Sequence, residues 1–225
     1  MTDETQKPAS GSSRALWIGG LVVVLVLAAV VMVVALTQLQ NAAGTTTNTG
    51  AAIVDAENYY DGNTAIDPPR ELSNFTLTSH TGDPISLSDL RGKVALLYFG
   101  YTHCPDVCPI TLGEFKQVKQ ALGAEAEDVA FVMISVDGER DTPERLADYI
   151  ANFDEAFIGM TGDEQTLRRI SEDFDLFFEK HPGENYIVDH TASVFMIDPE
   201  SRLATIFAYG TEPEVITEYV REAMS

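Results

Sequence analysis

The run VALLYFGYTHCPDVCPITL, residues 94–112, contains the features that decide the fold. Its opening stretch, residues 94–99, is continuously apolar, which is typical of a central strand that is buried on both faces. Residues 100–108 are predicted to form a loop, and residues 110–122 a helix with apolar side chains on one face. A loop between such a strand and such a helix lies at the carboxyl end of the sheet, where ligand sites collect.

Strands and helices alternate on both sides of this run. Upstream, residues 75–77 and 85–87 are predicted to pair as a hairpin around residues 81–83. The elements predicted downstream are a buried strand at 129–136, helices that begin after Thr142 and Asp163, a hairpin of residues 192–197 and 203–209, and a closing helix at 212–224. This order predicts an α/β fold in which helices flank a mixed central sheet.

Cys104 and Cys108 are the two cysteines of the chain, and they lie where the predicted helix begins. Backbone N–H groups and the helix dipole at such a position stabilise a thiolate and lower the pKa of a cysteine. A disulfide across so short a loop would contribute only about 2 kcal/mol through chain entropy, and it would link nothing distant. The pair therefore indicates a redox or soft-metal site rather than a structural disulfide.

His190 lies in the stretch NYIVDHTASVFMID, residues 185–198, just before a predicted buried strand. This position can bring the imidazole over the sheet edge towards the two thiols. Two thiolates and one imidazole favour Cu(I) and can also hold Cu(II) with a water or a carboxylate, whereas structural zinc usually has four protein ligands. His103 adjoins Cys104 but is expected to point elsewhere or to tune the thiol. Residues 174–189, which carry several charges, are expected to be mobile without metal.

The N-terminal part of the chain indicates a membrane anchor followed by a tether. Residues 15–36 carry no charge and match the thickness of a bilayer core, which predicts a transmembrane helix. The positive charges of residues 1–14 predict a cytoplasmic tail, with the rest of the chain on the periplasmic side of the membrane or in an equivalent space. Residues 37–67, rich in Ala, Thr, Asn and Gly, are predicted to be a flexible linker, and residues 68–225 the folded domain.

The composition excludes some classes of partner. The chain has 225 residues and a net charge of −21, with 14 Lys and Arg against 35 Asp and Glu. Nucleic-acid binding depends on neutralising phosphates with basic side chains, so this chain is not expected to bind nucleic acid. Adhesion to an anionic lipid surface is disfavoured for the same reason. Nothing in the sequence indicates an obligate oligomer, and a monomer is expected.

Three motifs in this order and spacing resemble the Sco/SenC family of membrane-anchored, thioredoxin-like copper proteins. They are YFGYTHCPDVCPITL at 98–112, SVDGERDTPERLADYIANF at 135–153 with GMTG at 159–162, and YIVDHT at 186–191. The resemblance extends from about residue 75 to the C-terminus. It implies a thioredoxin-like fold.

The resemblance also implies roles for single residues. The family's copper ligands correspond to Cys104, Cys108 and His190, which would hold Cu(I), Cu(II) or both. The family's aspartate at the end of the second central strand corresponds to Asp137, which is expected to support the ligands or to tune their redox behaviour. The family usually has proline after this aspartate, whereas this chain has Gly138, a difference that bears on the rigidity of the loop.

The implied function is assembly of cytochrome c oxidase. A protein of this family would deliver copper to the dinuclear copper site of oxidase subunit II, after receiving it from an upstream copper donor protein. The implied location is the bacterial inner membrane with the domain in the periplasm, or the mitochondrial inner membrane with the domain in the intermembrane space. The alternative is a thiol–disulfide oxidoreductase, in which Cys104 and Cys108 keep the cysteines of that site, or of another partner, reduced.

Three details of the sequence bear on the enzymatic alternatives. Thioredoxin-like reductases usually have two residues between their cysteines, and they carry a cis-proline opposite the cysteine pair. This chain has three residues between Cys104 and Cys108. No proline directly precedes the predicted strand at 192–197. A peroxidase is a third hypothesis, but peroxiredoxin-like sites need a T-x-x-C pattern, and Thr102 is two residues from Cys104. These departures favour metal binding over reductase or peroxidase activity.

Overall fold

A computed structural model describes residues 63–181, 183 and 186–225, together with Met32. The predicted cytoplasmic tail (1–14), the predicted anchor (15–36, Met32 apart) and linker residues 37–62 lie outside the described residues. Within the described part of the chain, no helix combines the length and the apolar character needed to cross a membrane.

Ten strands and four α-helices make up the described domain. The strands are β1 (Asn63–Glu71), β2 (Thr76–Ser79), β3 (Pro84–Ser86), β4 (Val94–Gly100), β5 (Val129–Ser135), β6 (Ile158–Thr161), β7 (Phe178–Lys180), β8 (Val188–His190), β9 (Val194–Ile197) and β10 (Arg202–Phe207). The helices are α1 (Val107–Leu122), α2 (Pro143–Ile150), α3 (Glu164–Asp173) and α4 (Pro213–Ala223), with short 3-10 helices at Leu87–Leu90 and Gly123–Asp128.

Eight of these strands form one mixed sheet in the order β1-β10-β9-β4-β5-β6-β2-β3. Strands β4, β5 and β6 run parallel, and the other neighbours are antiparallel. Every residue of β4 and β5 is buried, because layers of structure cover both faces of the sheet centre. The parallel register from Val94–Val129 to Gly100–Ser135 brings the carboxyl ends of both strands to the same edge. This arrangement confirms the predicted mixed α/β fold.

The first strand differs from the sequence prediction, which included residues 63–67 in the flexible linker. The structure places them in β1, where Asn63, Thr64 and Ala65 pair with β10. The register shifts between Ala65 and Arg70, around Pro68 and Pro69. Proline donates no hydrogen bond and is tolerated at such an irregularity on an edge strand, so residues 63–67 belong to β1 rather than to a flexible linker.

A second, two-stranded sheet lies outside the main one. Strands β7 and β8 pair antiparallel, with Phe178 opposite His190 and Lys180 opposite Val188. We call this pair the histidine hairpin, because His190 is the last residue of β8. The sequence predicted no strand within residues 174–189, whereas two short strands form there. The expected mobility of this segment stays a prediction.

Candidate metal centre

Three separate elements bring the predicted ligands together at the carboxyl edge of β4 and β5. Cys104 lies in the loop after β4, Cys108 in the first turn of α1, and His190 at the end of the histidine hairpin. Their ligand atoms, two Sγ atoms and one imidazole nitrogen, all lie within 4.8 Å of one another. The Sγ of Cys108 is 3.6 Å from Nε2 of His190. The donor set predicted from the sequence is therefore assembled in the folded chain.

The two thiols differ in exposure and in acidity. Both are free thiols, Cys104 partly exposed and Cys108 buried. A hydrogen bond from the Cys108 thiol, opposed by partial burial, lowers the pKa of Cys104 to about 3. The same hydrogen bond, together with burial, raises the pKa of Cys108. The Sγ of Cys104 also accepts a hydrogen bond from the backbone N–H of Cys108 at 3.5 Å. The outer sulfur is therefore the more acidic of the two, and the inner sulfur holds its proton more strongly.

The imidazole of His190 is oriented by its backbone neighbour and by two aromatic rings. Its Nδ1 lies 2.9 Å from the carbonyl oxygen of Thr191. A carbonyl only accepts hydrogen bonds, so Nδ1 carries a proton, and Nε2 is the ring nitrogen that faces the sulfurs and can bind a metal. Tyr98 and Tyr101 each contact the imidazole edge-on, with ring centroids 5.9 Å away. This is the tautomer that a metal-binding histidine needs.

The floor of the site is formed by the end of β4. The buried hydroxyl of Tyr98 donates a hydrogen bond to Sγ of Cys108 at 3.3 Å. Gly100 lets the same sulfur approach the strand, since a Cβ at this position would lie 3.0 Å from Sγ and 2.6 Å from Cε1 of Tyr98. From the sequence, Tyr98 was predicted only as part of a buried strand and Gly100 only as the start of a loop. Both residues lie within two positions of the end of the strand that leads to the cysteines. This position is the signal in the sequence that could have indicated a role at the site.

A cleft of about 260 Å³ gives access to the site. Its lining consists of Cys104, Val107, Val188, Asp189, His190 and Ala192. Two of the three candidate ligands therefore face a space that solvent or another molecule can enter, while Cys108 lies below them. The cleft is small and shallow, which suits an ion better than an organic substrate.

Asp137 lies just after β5 and is connected to the histidine hairpin. Its carboxylate is fully buried and pairs with the guanidinium of Arg140. It also accepts a 2.6 Å hydrogen bond from the hydroxyl of Tyr186 and lies 3.6 Å from Nζ of Lys180. Arg140 in turn donates to the carbonyl oxygen of Tyr186 at 2.9 Å and stacks on its ring at 3.6 Å. These contacts connect the loop after β5 to the segment that carries His190.

The side chains that pair with Asp137 were not predicted from the sequence, although two of them lie in the motifs that resemble the family. Arg140 lies in SVDGERD, and Tyr186 opens YIVDHT. A buried carboxylate needs a cation or several donors, so an arginine three residues along the chain was the available signal.

Gly138 resolves the question raised by the absence of the family's usual proline. A Cβ at this position would lie 1.9 Å from the carbonyl oxygen of Gly162, the residue that follows β6. The loop after β5 therefore packs backbone against backbone on the loop after β6, and only glycine permits this approach. The loop is held by this packing and by the contacts of Asp137 rather than by a proline ring.

A second group of possible ligand atoms lies nearby, in His103, Asp137 and Asp141. The buried carboxylate of Asp141 already accepts hydrogen bonds from the backbone N–H and hydroxyl of Thr102 and from the hydroxyl of Ser135. Asp137 is paired with Arg140 and accepts the hydrogen bond from Tyr186. These carboxylates therefore fix the loops after β4 and β5. The exposed His103 lies 3.6 Å from Asp141, in keeping with the expectation that it points away from the thiols.

Known proteins with similar sequences and structures indicate the family of this chain. The family model described as SCO1/SenC matches residues 63–225. A SCO2-like protein of Rickettsia felis is 31% identical over 168 residues, which cover 73% of this chain and 80% of the relative. The human protein named SCO1 homolog, mitochondrial, is 36% identical over 138 residues, covering 59% of this chain and 46% of that one.

A solved structure of Bradyrhizobium japonicum ScoI with copper bound is 35% identical, with a TM-score of 0.63, and the match covers 67% of this chain and 98% of that chain. This likeness confirms the thioredoxin-like fold that the motifs implied. The family match extends over the whole described domain, from the edge strand β1 to the C-terminus. The chain therefore belongs to the SCO1/SenC family.

Proposed function

We propose that this protein is a membrane-anchored copper chaperone that assists assembly of the dinuclear copper site of cytochrome c oxidase. Copper is the cargo, and Cys104, Cys108 and His190 bind it. The observation that carries the proposal is the convergence of these three ligand atoms within 4.8 Å, although they come from a loop, a helix and a hairpin. Thiolate and imidazole are the ligands that soft Cu(I) prefers.

The protonation of the site supports copper as the ion. Metal ligands must be deprotonated, and the lowered pKa of Cys104 favours its thiolate, while the hydrogen bond of Nδ1 leaves Nε2 of His190 facing the sulfurs. Copper supplies a positive charge there that replaces the remaining thiol proton of Cys108. The ScoI protein of Bradyrhizobium japonicum, which shares this fold, has been solved with copper bound.

The proposed partners and location follow from family membership. The receiving partner is the copper site of oxidase subunit II, and an upstream donor protein supplies the ion. Residues 15–36 anchor the chain in the bacterial inner membrane, and residues 37–62 tether the domain on the periplasmic side. The mitochondrial inner membrane, facing the intermembrane space, is the equivalent location, and the human relative is named as mitochondrial.

The test is copper binding by the purified chain and two histidine variants. We expect one copper per wild-type chain and a thiolate-to-Cu(II) absorption band that His190→Ala weakens or removes. His181→Ala is the matched control, because His181 is exposed, lies in the same hairpin region and pairs with Asp189 rather than with the thiols. Full copper binding by the His190→Ala variant, or none by the wild type, would contradict the proposal.

Thiol–disulfide exchange is the second candidate function, and one observation favours it. The partly exposed Cys104 has the lowered pKa of an attacking thiolate, while the buried Cys108 keeps its proton and can resolve a mixed disulfide. Such an enzyme would keep the cysteines of the oxidase site, or of another partner, reduced. Catalytic turnover on an oxidised dithiol peptide, lost in Cys108→Ser, would support this function.

A further inference from the structure

The hydroxyl of Tyr98 has no role in the ligand set, yet it contacts one of the ligands directly. Tyr98 is fully buried in β4, and its hydroxyl donates to Sγ of Cys108 at 3.3 Å. Cys108 is itself fully buried, so this hydrogen bond is shielded from water. A hydrogen bond in such surroundings is stronger than one that competes with solvent.

We propose that Tyr98 is a positioning residue that biases the Cys108 sulfur towards its electron-rich forms. For a bound ion this means the cuprous rather than the cupric state, and for the free protein the dithiol rather than the Cys104–Cys108 disulfide. The part that concerns copper rests on the proposed function. The part that concerns the dithiol does not, because the dithiol needs no metal. According to this proposal, the site selects its copper cargo in the cuprous state.

The direction of the bias follows from the charge on sulfur. Hydrogen bonds to a charged acceptor are stronger than those to a neutral one. Cu(II) withdraws more electron density from a thiolate than Cu(I) does, so the sulfur accepts a stronger hydrogen bond in the Cu(I) state. Hydrogen bonding around a coordinating sulfur is one of the features that set the potential of copper sites. A disulfide sulfur is likewise a poorer acceptor than a thiol or thiolate.

The chain provides a matched control for this single oxygen atom. Tyr101 contacts the His190 ring with the same edge-on geometry and the same 5.9 Å centroid distance as Tyr98. Its hydroxyl, however, interacts with the backbone of Val188. Tyr98→Phe and Tyr101→Phe therefore each remove one hydroxyl and keep one ring against His190, but only the first removes a donor to sulfur.

The copper experiment measures the dissociation constants of both oxidation states by competition with chelators, on the full chain and the two variants. Tyr98→Phe is expected to shift the ratio of Cu(I) to Cu(II) affinity about tenfold towards Cu(II), equivalent to a potential about 59 mV lower for a one-electron couple. Tyr101→Phe is expected to shift the ratio much less, because its hydroxyl contacts the backbone of Val188 and not sulfur. An unchanged ratio in Tyr98→Phe, or an equal shift in both variants, would overturn the proposal.

The second experiment needs no metal. Each reduced, copper-free chain is equilibrated with oxidised and reduced dithiothreitol, which accepts or supplies the two electrons and two protons of the Cys104–Cys108 couple. Tyr98→Phe is expected to move the equilibrium about tenfold towards the disulfide, and Tyr101→Phe much less, because its hydroxyl does not contact sulfur. Equal equilibria for all three chains would overturn the proposal. A wild type that binds no copper would refute the proposed function, and this metal-free equilibrium would then decide the role of Tyr98.

Discussion

The substitution Gly138→Ala tests the packing that holds the loop after β5. The new Cβ would lie 1.9 Å from the carbonyl oxygen of Gly162 and must move to at least 3.0 Å, so the two backbones must separate by about 1.1 Å (3.0 minus 1.9). Overpacking of this kind costs about 1–3 kcal/mol, while the lower entropy of the unfolded chain offsets at most about 1 kcal/mol. We expect a net loss of about 2 kcal/mol in the free energy of unfolding.

Gly113→Ala is the matched control for this prediction. Gly113 lies inside α1, and a Cβ there meets nothing within 4 Å outside the helix backbone. Alanine is favoured over glycine in a helix by about 1 kcal/mol, so this variant should be more stable than the wild type. Urea denaturation of both variants should therefore give a difference of about 3 kcal/mol. Equal stabilities of the two variants would refute the reasoning from backbone packing.

Three further predictions concern the histidine hairpin and the outer thiol. Tyr186→Phe removes the hydroxyl that donates to Asp137, a bond to charge worth about 1.5–3 kcal/mol, so amide hydrogen exchange in the hairpin should accelerate at least about tenfold. Wild-type exchange rates in that variant would argue against this connection. Copper should slow exchange in the hairpin, and identical apo and copper-loaded rates would contradict the expected mobility. Alkylation of Cys104 in the reduced apo protein should be nearly constant from about pH 5 to 8, because its pKa is lowered to about 3 and the thiolate already predominates. A tenfold fall per pH unit below about pH 8 would indicate an ordinary thiol.

The strong elements of the fold could be predicted because their patterns are local. The apolar runs that became β4 and β5 have no polar interruption, and the helix starts at Thr142 and Asp163 carry capping side chains that the structure confirms. The histidine hairpin could not be predicted in this way. Its strands have three residues each, and β7 is held by contacts with distant residues, such as Asp137, whose carboxylate lies 3.6 Å from Nζ of Lys180.

The candidate site was predictable in its residues but not in its surroundings. Cys104 and Cys108 were indicated by their spacing at a helix start, whereas His190 is 82 positions from Cys108 and was connected to it only by resemblance and by topology. Tyr98 was missed because a tyrosine in an apolar strand is indistinguishable from a core residue until its hydroxyl is located. Arg140 was missed because a charged residue in a loop is usually exposed.

The central claim is that two cysteines and one histidine bind a single copper ion. The most direct measurement is X-ray absorption spectroscopy at the copper edge on the copper-loaded full chain, with the metal content of the same sample. We predict one copper per chain, surrounded by two sulfur atoms and one imidazole nitrogen. A copper environment without sulfur, or with sulfur but no imidazole, would contradict the account.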